Sequence, residues 1–473
     1  MRQAGERRWG RPGGGRLPRR WAVAALTLVA ALVSGCAVSV PGTPSAAESV
    51  TRSGVDPSFV NGTDGGLVDR LAATAVTDVR DYWRRTFEPV FGKGWQDLRG
   101  GFYSVDSSSR AARPAPCTEK ASEVEGNAFY CPSADAIAWD RSALLPVLRE
   151  KYGDAAVVIV LAHEIGHAVH HRAGVGVTEQ RQQPSRFPTI LTEAMADCYA
   201  GAFVRSVTDG GAAHLRISGE QLDAALGALV SFRDPVGTAK TDRSAHGNAF
   251  DRVSAFQDGY QQGPKLCSAM TVDNRKFTQT TFTSFDDRAN GGNMEFQRMI
   301  GSVAADLDNY FSALVTQRGG TWKRPTVRTD EPRPGCEGRD QGPVAFCPAT
   351  GRIELDGVTE VPRLHEQIGD YATGTLLATR YGLAAQSALG RPVRGEAAAK
   401  TALCLAGAYT GTVFGRREGF GLSPGDLDEA VQVLLGYDYG ARDVHGEAIR
   451  SGFDRVESFR NGALGGPAAC GFG

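Results

Sequence analysis

The sequence predicts an α+β fold that is mainly helical and consists of two related domains. Segments 67–87 and 294–314 both carry apolar residues at helical spacing, as in Leu67 and Leu71 of the first segment. Residues 155–162 form an uncharged apolar run that leads into a histidine-rich motif, which indicates a buried helix. A series of short motifs also recurs in the same order about 200 residues further on, a period that fits whole domains rather than a solenoid.

The chain begins with an arginine-rich segment followed by the apolar run 21–33. This run of about 13 residues is shorter than the roughly 20 that a spanning helix needs, so residues 1–35 are predicted to be a signal peptide. Residues 33–36, Val-Ser-Gly-Cys, match a bacterial lipobox, in which the cysteine is lipidated and becomes the new N-terminus. We therefore expect lipidation of Cys36; the alternative is plain secretion with Cys36 removed or free.

Residues 36–65 are rich in Pro, Ser, Thr and Gly without a helical period, which predicts a flexible tether. The expected location is the extracytoplasmic face of the cell membrane, with the lipid as anchor. The whole chain has 52 basic and 53 acidic residues, and removing residues 1–35 takes away 7 arginines and 1 glutamate, which leaves 45 against 52. This mildly acidic balance gives no argument for a nucleic-acid partner.

Residues 163–167 read His-Glu-Ile-Gly-His. Residues four apart share one face of a helix, so the imidazoles of His163 and His167 can bind one metal ion while Glu164 lies beside it. Imidazole suits zinc, and burying two histidines and a carboxylate behind an apolar run would be costly without a metal or partners. We expect one Zn²⁺ per chain; the alternative is an ordinary solvated helix.

A catalytic zinc site needs three protein ligands and leaves the fourth position to water. Glu193 is the predicted third ligand, and Asp197, four residues on and therefore on the same helical face, is predicted to accept a hydrogen bond from a ligating histidine. The alternative for Glu193 is a surface position, the usual fate of a lone glutamate. Residues 174–188 are expected to form a loop between the two ligand-bearing helices. His170 and His171 are expected to be solvated or packed rather than ligands.

These two motifs carry a family resemblance, together with residues 129–132 (Phe-Tyr-Cys-Pro), 244–247 (Ser-Ala-His-Gly) and 251–253 (Asp-Arg-Val). Over about residues 66–267 the chain resembles the bacterial neutral zinc metallopeptidase family. The resemblance implies a zincin-like, more narrowly gluzincin-like, peptidase fold with the two motif histidines and the glutamate of the E-x-x-A-D-C pattern as zinc ligands. The substrates of the family are largely undefined, so the resemblance implies chemistry more than biology.

The second half of the chain repeats the motifs of the first. The matching stretches are 128–132 with 344–348, 160–168 with 376–384, 198–202 with 404–408, and 250–253 with 453–456. In the second copy Thr379 and Leu383 stand at the histidine positions, Arg380 at the glutamate position and Ala399 opposite Glu193, and none of these could hold zinc in that arrangement. We therefore expect a metal-free repeat of the same domain; chance matches are the alternative.

Features kept in both copies are predicted to be architectural. Eight cysteines besides the lipobox cysteine recur at matching places, four in each half. The expected disulfides, each worth roughly 2–4 kcal/mol, are Cys117–Cys131, Cys198–Cys267, Cys336–Cys347 and Cys404–Cys470. The first pair is expected on a short β-hairpin. His246 could stabilise an oxyanion or be structural, and because His445 survives at the matching place in the second copy, the structural role is favoured.

The expected function is peptide-bond hydrolysis by a membrane-tethered zinc metallopeptidase that acts on a peptide or protein substrate, with Glu164 as the general base and acid. One alternative is a non-catalytic surface-binding or scaffold lipoprotein with a structural zinc, although a structural site needs no base. A wall-modifying zinc amidase would share the water chemistry. The predicted domains are a signal peptide (1–35), a tether (36–65), a zinc metallopeptidase-like domain (66–275) and its degenerate repeat (276–473).

Overall fold

The structure is a computed structural model that describes residues 49–331, 334–336 and 340–472. The predicted signal peptide, the lipidation site Cys36 and the tether up to residue 48 lie outside the described residues. The fold is mixed α+β and about 53% helical, which confirms the predicted class at that level. Among the described residues, no helix combines the length and the apolar character that crossing a membrane requires.

The first half of the described chain contains one mixed sheet and a set of packed helices, with short 3₁₀ turns at Pro57–Phe59 and Ala121–Val124. In chain order its elements are β1 (Val60–Asn61), α1 (Leu67–Phe91), β2 (Gly101–Val105), β3 (Ala128–Cys131), β4 (Ala136–Asp140), α2 (Leu144–Tyr152), α3 (Asp154–Ala173), α4 (Val177–Gln182), α5 (Thr189–Thr208), α6 (Gly219–Ser231), α7 (Ala249–Gln262) and α8 (Pro264–Ser268).

The second half follows a closely similar order of elements, with a 3₁₀ turn at Tyr439–Ala441. Its elements are α9 (Phe285–Ala289), α10 (Phe296–Gln317), β5 (Thr326–Glu331), β6 (Val344–Cys347), β7 (Arg352–Asp356), α11 (Glu360–Gln367), α12 (Asp370–Ala388), α13 (Glu396–Val413), α14 (Asp426–Gly436) and α15 (Gly452–Ala469). The predicted helices 67–87 and 294–314 correspond to α1 and α10, and both predictions are confirmed.

The sheet of the first half has the order β1-β2-β4-β3, in which β1, β2 and β4 run parallel and β3 is antiparallel to β4. The β3–β4 pair is the predicted hairpin, and Cys131 ends β3. Cys117 is not on the hairpin; it lies in a preceding turn with a left-handed φ of 68°. The prediction was wrong on this point because a disulfide spans about 5.9 Å between Cα atoms, so a loop residue can reach the end of a strand.

Disulfides join the four predicted cysteine pairs. Cys198–Cys267 links α5 to α8, and Cys404–Cys470 links α13 to the residue that follows α15. In each half, one bridge therefore fastens a long buried helix to a segment near the end of that half.

Close backbone contacts bring the helices of the first half together. At the crossing of α3 and α5, a Cβ added to Gly166 would lie 2.9 Å from the Cα atom of Ala196. At the crossing of α5 and α7, a Cβ on Gly201 would lie 2.0 Å from the carbonyl oxygen of Phe256, and one on Gly259 would lie 1.7 Å from that of Cys198. Only glycine permits such short separations between helix axes. The first crossing places α3 and α5 side by side, and the second packs α7 closely against α5.

Candidate metal centre

Helix α3 carries the histidine motif into the interior of the protein. Its apolar first half is buried, as the sequence predicts, and the left-handed Gly174 ends the helix. His163 and Glu164 lie inside this buried stretch, 6% and 7% exposed, and Glu193 of α5 is 7% exposed. Glu193 is therefore not a surface glutamate.

Three side chains from α3 and α5 meet at one point. The Nε2 atoms of His163 and His167 lie 3.1 Å apart. Glu193 Oε2 is 3.3 Å from His163 Nε2, and Glu193 Oε1 is 3.6 Å from His167 Nε2. Glu193 Oε2 is buried without a hydrogen-bond partner, which is costly unless a cation lies against it. Two imidazoles and one carboxylate form a donor set that zinc accepts in open, catalytic sites, so the residues fit a zinc ion.

Further hydrogen bonds fix the orientation of His163. Its Nδ1 lies 2.7 Å from Asp197 Oδ1, and the sequence predicts that Asp197 pairs with a ligating histidine without specifying which one. Arg252 in turn donates from Nε to Asp197 Oδ2 at 2.9 Å and from Nη2 to Oδ1 at 3.0 Å. Because the carboxylate accepts the Nδ1–H, the lone pair of His163 Nε2 is left for a metal.

A histidine pair orients the second ligand, and sequence reasoning missed it. His170 Nδ1 donates to the carbonyl oxygen of Val175 at 2.6 Å, so its Nε2 can accept from His167 Nδ1 at 3.0 Å. That leaves His167 Nε2 free to bind a metal. On a helix, the residues at i+3 and i+4 both lie near residue i, and it is His170, at i+3 from His167, that makes the contact. The spacing itself was the signal that could have found it.

The environment holds these groups in defined charge states when no metal is bound. Burial alone would lower the pKa of His163, but the Asp197 and Glu193 carboxylates raise it to about 10. Burial and the charge of His167 lower the pKa of His170 to about 3, so His170 is neutral, as its acceptor role requires. Burial would raise the pKa of Glu193, yet the two motif histidines hold it well below its ordinary value.

Comparison with known proteins agrees with this geometry. Residues 10–270, more than half of the chain, match the profile of a family described as "Putative neutral zinc metallopeptidase". The chain belongs to this family. The family implies zinc, and the three converging side chains lie within the matched region.

The similar relatives of this family member have no described activity. An uncharacterized protein of Mycobacterium tuberculosis (strain H37Rv) is 31% identical over 174 residues, which cover 33% of this chain and 58% of that protein. The uncharacterized protein YpfJ of Escherichia coli K12 is 26% identical over 211 residues, 42% of this chain and 70% of YpfJ. The chain thus spans little more than half the length of the mycobacterial relatives. No solved structure matches.

A cavity of about 580 Å³ opens beside the three converging side chains of this family member. Strand β3, at the edge of the sheet, forms one wall with Phe129 and Tyr130. The backbone N–H of Tyr130 donates to Glu164 Oε2 at 3.0 Å, which ties the predicted base to this wall. Burial raises the pKa of Glu164 although the neighbouring histidines oppose the shift.

His246 lies on the wall of the same cavity. Its Nδ1 is 3.4 Å from Asp234 Oδ1, and its backbone N–H donates to the same carboxylate at 3.1 Å. The side-chain contact with Asp234 raises the pKa of His246. In the second half, the backbone N–H of His445 donates at 2.7 Å to Asp443, two residues upstream, whereas Asp234 lies twelve residues upstream of His246. The two histidines therefore have different carboxylate partners, and His246 lines the cavity of the first half.

The equivalent place in the second half is filled by protein atoms. Thr379, Arg380, Leu383 and Ala399 are all fully buried. The guanidinium of Arg380 donates from Nη2 to the carbonyl oxygen of Gly440 at 2.9 Å. Burial, together with the charge of a second arginine, lowers the pKa of Arg380 to about 9. These four side chains could not bind zinc in this arrangement, and the positive charge of Arg380 would repel a metal ion.

Proposed function

We propose that the protein is a zinc-dependent peptidase that hydrolyses peptide bonds with metal-activated water. The observation that carries the proposal is the convergence of His163 Nε2, His167 Nε2 and Glu193 within 4.8 Å, with Glu164 beside them on the cavity wall. We further propose one Zn²⁺ per chain, a peptide or protein substrate, and attachment to the extracytoplasmic face of the cell membrane through a lipid on Cys36. The anchoring is supported by the lipobox pattern of the sequence.

Bound zinc supplies a water molecule of lowered pKa and polarises the carbonyl of the scissile bond. Glu164 is the proton carrier: it accepts the proton of the attacking water and donates it to the leaving amine. The hydrogen bond from the Tyr130 N–H holds the carboxylate of Glu164 at the cavity wall. Asp197 and His170 hold the two ligating imidazoles in the tautomer that presents Nε2.

Two alternative roles are proposed for His246, which lines the cavity. Its imidazole could donate to the oxyanion of the tetrahedral species, since it faces the cavity and Asp234 favours its protonated form. The structural alternative is supported by the backbone hydrogen bond from His246 to Asp234 and by the histidine, His445, that stands at the matching place in the second half.

We also propose that residues 276–473 are a duplicated copy, without the zinc ligands, of a zincin-like domain at 66–275. Both halves contain a parallel strand pair extended by an antiparallel hairpin strand. Glycines again mark the closest helix contacts, since a Cβ on Gly407 or Gly462 would lie 1.8 Å from a backbone oxygen, as at Gly201 and Gly259. The four disulfides follow the same pattern.

Zinc content and turnover test the proposal separately. A soluble form that starts after Cys36 should hold one zinc by elemental analysis, and His163→Ala should lose it. Glu164→Gln should keep the zinc and lose roughly 10²–10⁴-fold in the rate of peptide cleavage, because only the proton carrier is removed. Zinc that is retained by the wild-type protein without cleavage of any peptide library would favour the scaffold alternative. Absence of zinc from both proteins would refute the mechanism.

A further inference from the structure

A second group of metal-binding side chains lies in the second half, outside the zinc site. Asp370 is the first residue of α12, and Asp426 and Glu429 belong to the first turn of α14. One carboxylate oxygen from each lies within 4.8 Å of the others. The three residues are 2%, 4% and 7% exposed, so three carboxylates meet in the protein interior.

Backbone groups fix each carboxylate by one of its two oxygens. Asp370 Oδ2 accepts from the N–H of Met294 at 2.7 Å, and Asp426 Oδ2 accepts from that of Ser423 at 2.8 Å. Glu429 Oε2 accepts from the N–H of the residue after Asp370, also at 2.8 Å. The other oxygens of the two aspartates, Asp370 Oδ1 and Asp426 Oδ1, are buried and have no hydrogen-bond partner. A buried acceptor without a partner is costly, so both oxygens call for a positively charged ligand.

Little positive charge offsets these carboxylates. Burial raises the pKa of all three carboxyls above its ordinary value. The charge of Asp370 raises the pKa values of Asp426 and Glu429 further, and the nearby Asp287 raises those of Asp370 and Asp426. Arg233 is a cation that acts on Glu429, but its guanidinium lies 3.5 Å from Asp428, with which it pairs. The protein charges around the cluster are therefore predominantly negative.

The equivalent place in the first half is built differently. Asp154, the first residue of α3, accepts from Arg149 Nε at 2.7 Å, so an arginine compensates its charge. At the position of Glu429 the first half has Ala224, within Leu-Asp-Ala-Ala against Leu-Asp-Glu-Ala. The acidic cluster is therefore not a by-product of the shared helical framework.

We propose that Asp370, Asp426 and Glu429 bind one Ca²⁺ ion. The donor atoms are all oxygens, which hard cations prefer, and Ca²⁺ accepts irregular sets of six to eight oxygens at about 2.3–2.6 Å. Mg²⁺ demands near-ideal octahedral geometry and keeps several waters, which suits a buried cluster of fixed carboxylates less well. The ion joins the first turns of α12 and α14 and, through the Met294 contact, the segment before α10. The site is independent of the zinc centre.

Calcium titration of the soluble chain tests the proposal. The protein is first freed of calcium on a chelating resin, its zinc content is checked, and CaCl₂ is added in a calorimeter and in thermal unfolding experiments. We expect one Ca²⁺ per chain and a rise in Tm of roughly 5 °C at saturating calcium, because the ion binds only the folded state. His163→Ala should bind the same calcium, which separates this result from the fate of the zinc site.

Matched variants test whether calcium binds at this cluster. Glu429→Gln and Asp426→Asn should lose calcium affinity at least about 10-fold, since each removes one charged ligand, and should unfold in calcium-free buffer at or above the wild-type Tm because repulsion is relieved. Asp154→Asn, the control at the equivalent helix start, should bind calcium like the wild type.

Three results would overturn the proposal. The first is no calcium binding by the wild type together with a higher Tm of Glu429→Gln, which would mean that the cluster shares protons instead. The second is unchanged calcium binding by both cluster variants, which would place the ion elsewhere. The third is MgCl₂ binding as tightly as CaCl₂, which would contradict the choice of calcium.

Discussion

At the scale of single residues, the candidate zinc site is a chain of hydrogen bonds that begins in the backbone. The carbonyl oxygen of Val175 fixes the tautomer of His170, and His170 fixes that of His167. His163 is fixed by a carboxylate that an arginine holds in place. Each ligating nitrogen is thus oriented before a metal arrives, which lowers the cost of binding.

The first prediction concerns His170. His170→Ala removes the acceptor of His167 Nδ1, so we expect zinc affinity to fall roughly 10–100-fold. Competition with a chromophoric chelator measures the affinity, and circular dichroism checks that the variant is folded. The control is His171→Ala, which changes a neighbouring cavity-wall histidine that contacts the Tyr130 ring rather than a ligand. Equal zinc affinities for the two variants would show that the His170 contact is not functional.

At the scale of elements, glycine contacts decide how closely the ligand-bearing helices pack. A methyl group on Gly259 would overlap the backbone of α5 five residues beyond Glu193. The Cys198–Cys267 bridge fastens the same region of α5. Glu193 therefore keeps its position relative to α3 because of contacts well outside the metal site.

The second prediction follows from this packing. Gly259→Ala should lower the free energy of unfolding by about 3 kcal/mol, since the overlap forces the helices apart, and it should also weaken zinc binding. Urea unfolding measures the loss. Gly301→Ala, in the exposed interior of α10 with no atom within 4 Å of the added Cβ, should instead stabilise the protein by about 0.5–1 kcal/mol. The interpretation fails if both substitutions change stability alike.

The sequence predicted those elements whose formation depends on the spacing of residues that are close together in the chain. The α1 and α10 helices follow from apolar spacing, and Glu193 and Asp197 follow from helical periodicity. The parallel pairing of β2 with β4 was missed, because its register joins segments more than thirty residues apart and neither strand alternates in polarity. The acidic cluster of the second half was missed for the same reason, since Asp370 and Asp426 meet only through tertiary packing.

At the scale of the whole molecule, the two halves contact each other reciprocally. Asp223 of α6 accepts from the N–H groups of Gly452 and Phe453 at the start of α15. In the opposite sense, Asp428 of α14 accepts from the N–H of Phe250 at the start of α7. Each half thus caps a helix of the other, which couples the stability of the half with the candidate zinc site to that of the second half.

The third prediction concerns the pH dependence of the whole fold. A buried carboxyl with a raised pKa stabilises the protein while it is protonated, so its contribution is complete below about pH 4 and is lost as the pH rises through the raised value. Burial, with a smaller contribution from neighbouring carboxylates, raises the pKa values of Asp370, Asp426 and Glu429. Between pH 5 and pH 8, the Tm of the calcium-free wild type should therefore fall by roughly 3 °C more than the Tm of Glu429→Gln.

Calcium provides the internal check on that prediction. Saturating CaCl₂ should abolish the difference between wild type and Glu429→Gln in how Tm changes with pH, because the bound ion favours the ionised carboxylates. Parallel pH slopes of wild type and Glu429→Gln in calcium-free buffer would mean that the cluster does not titrate in this range.

The placement of the disulfides determines how the two halves of the protein could be separated. Within the described residues, each disulfide closes a loop inside one half, and the covalent link between the halves is the chain from α8 to α10 alone. A single proteolytic cut there would convert the protein into a non-covalent heterodimer whose fragments could dissociate on dilution. Exposed residues such as Phe285 lie in that segment, so limited proteolysis offers a way to separate the two halves while every disulfide stays intact.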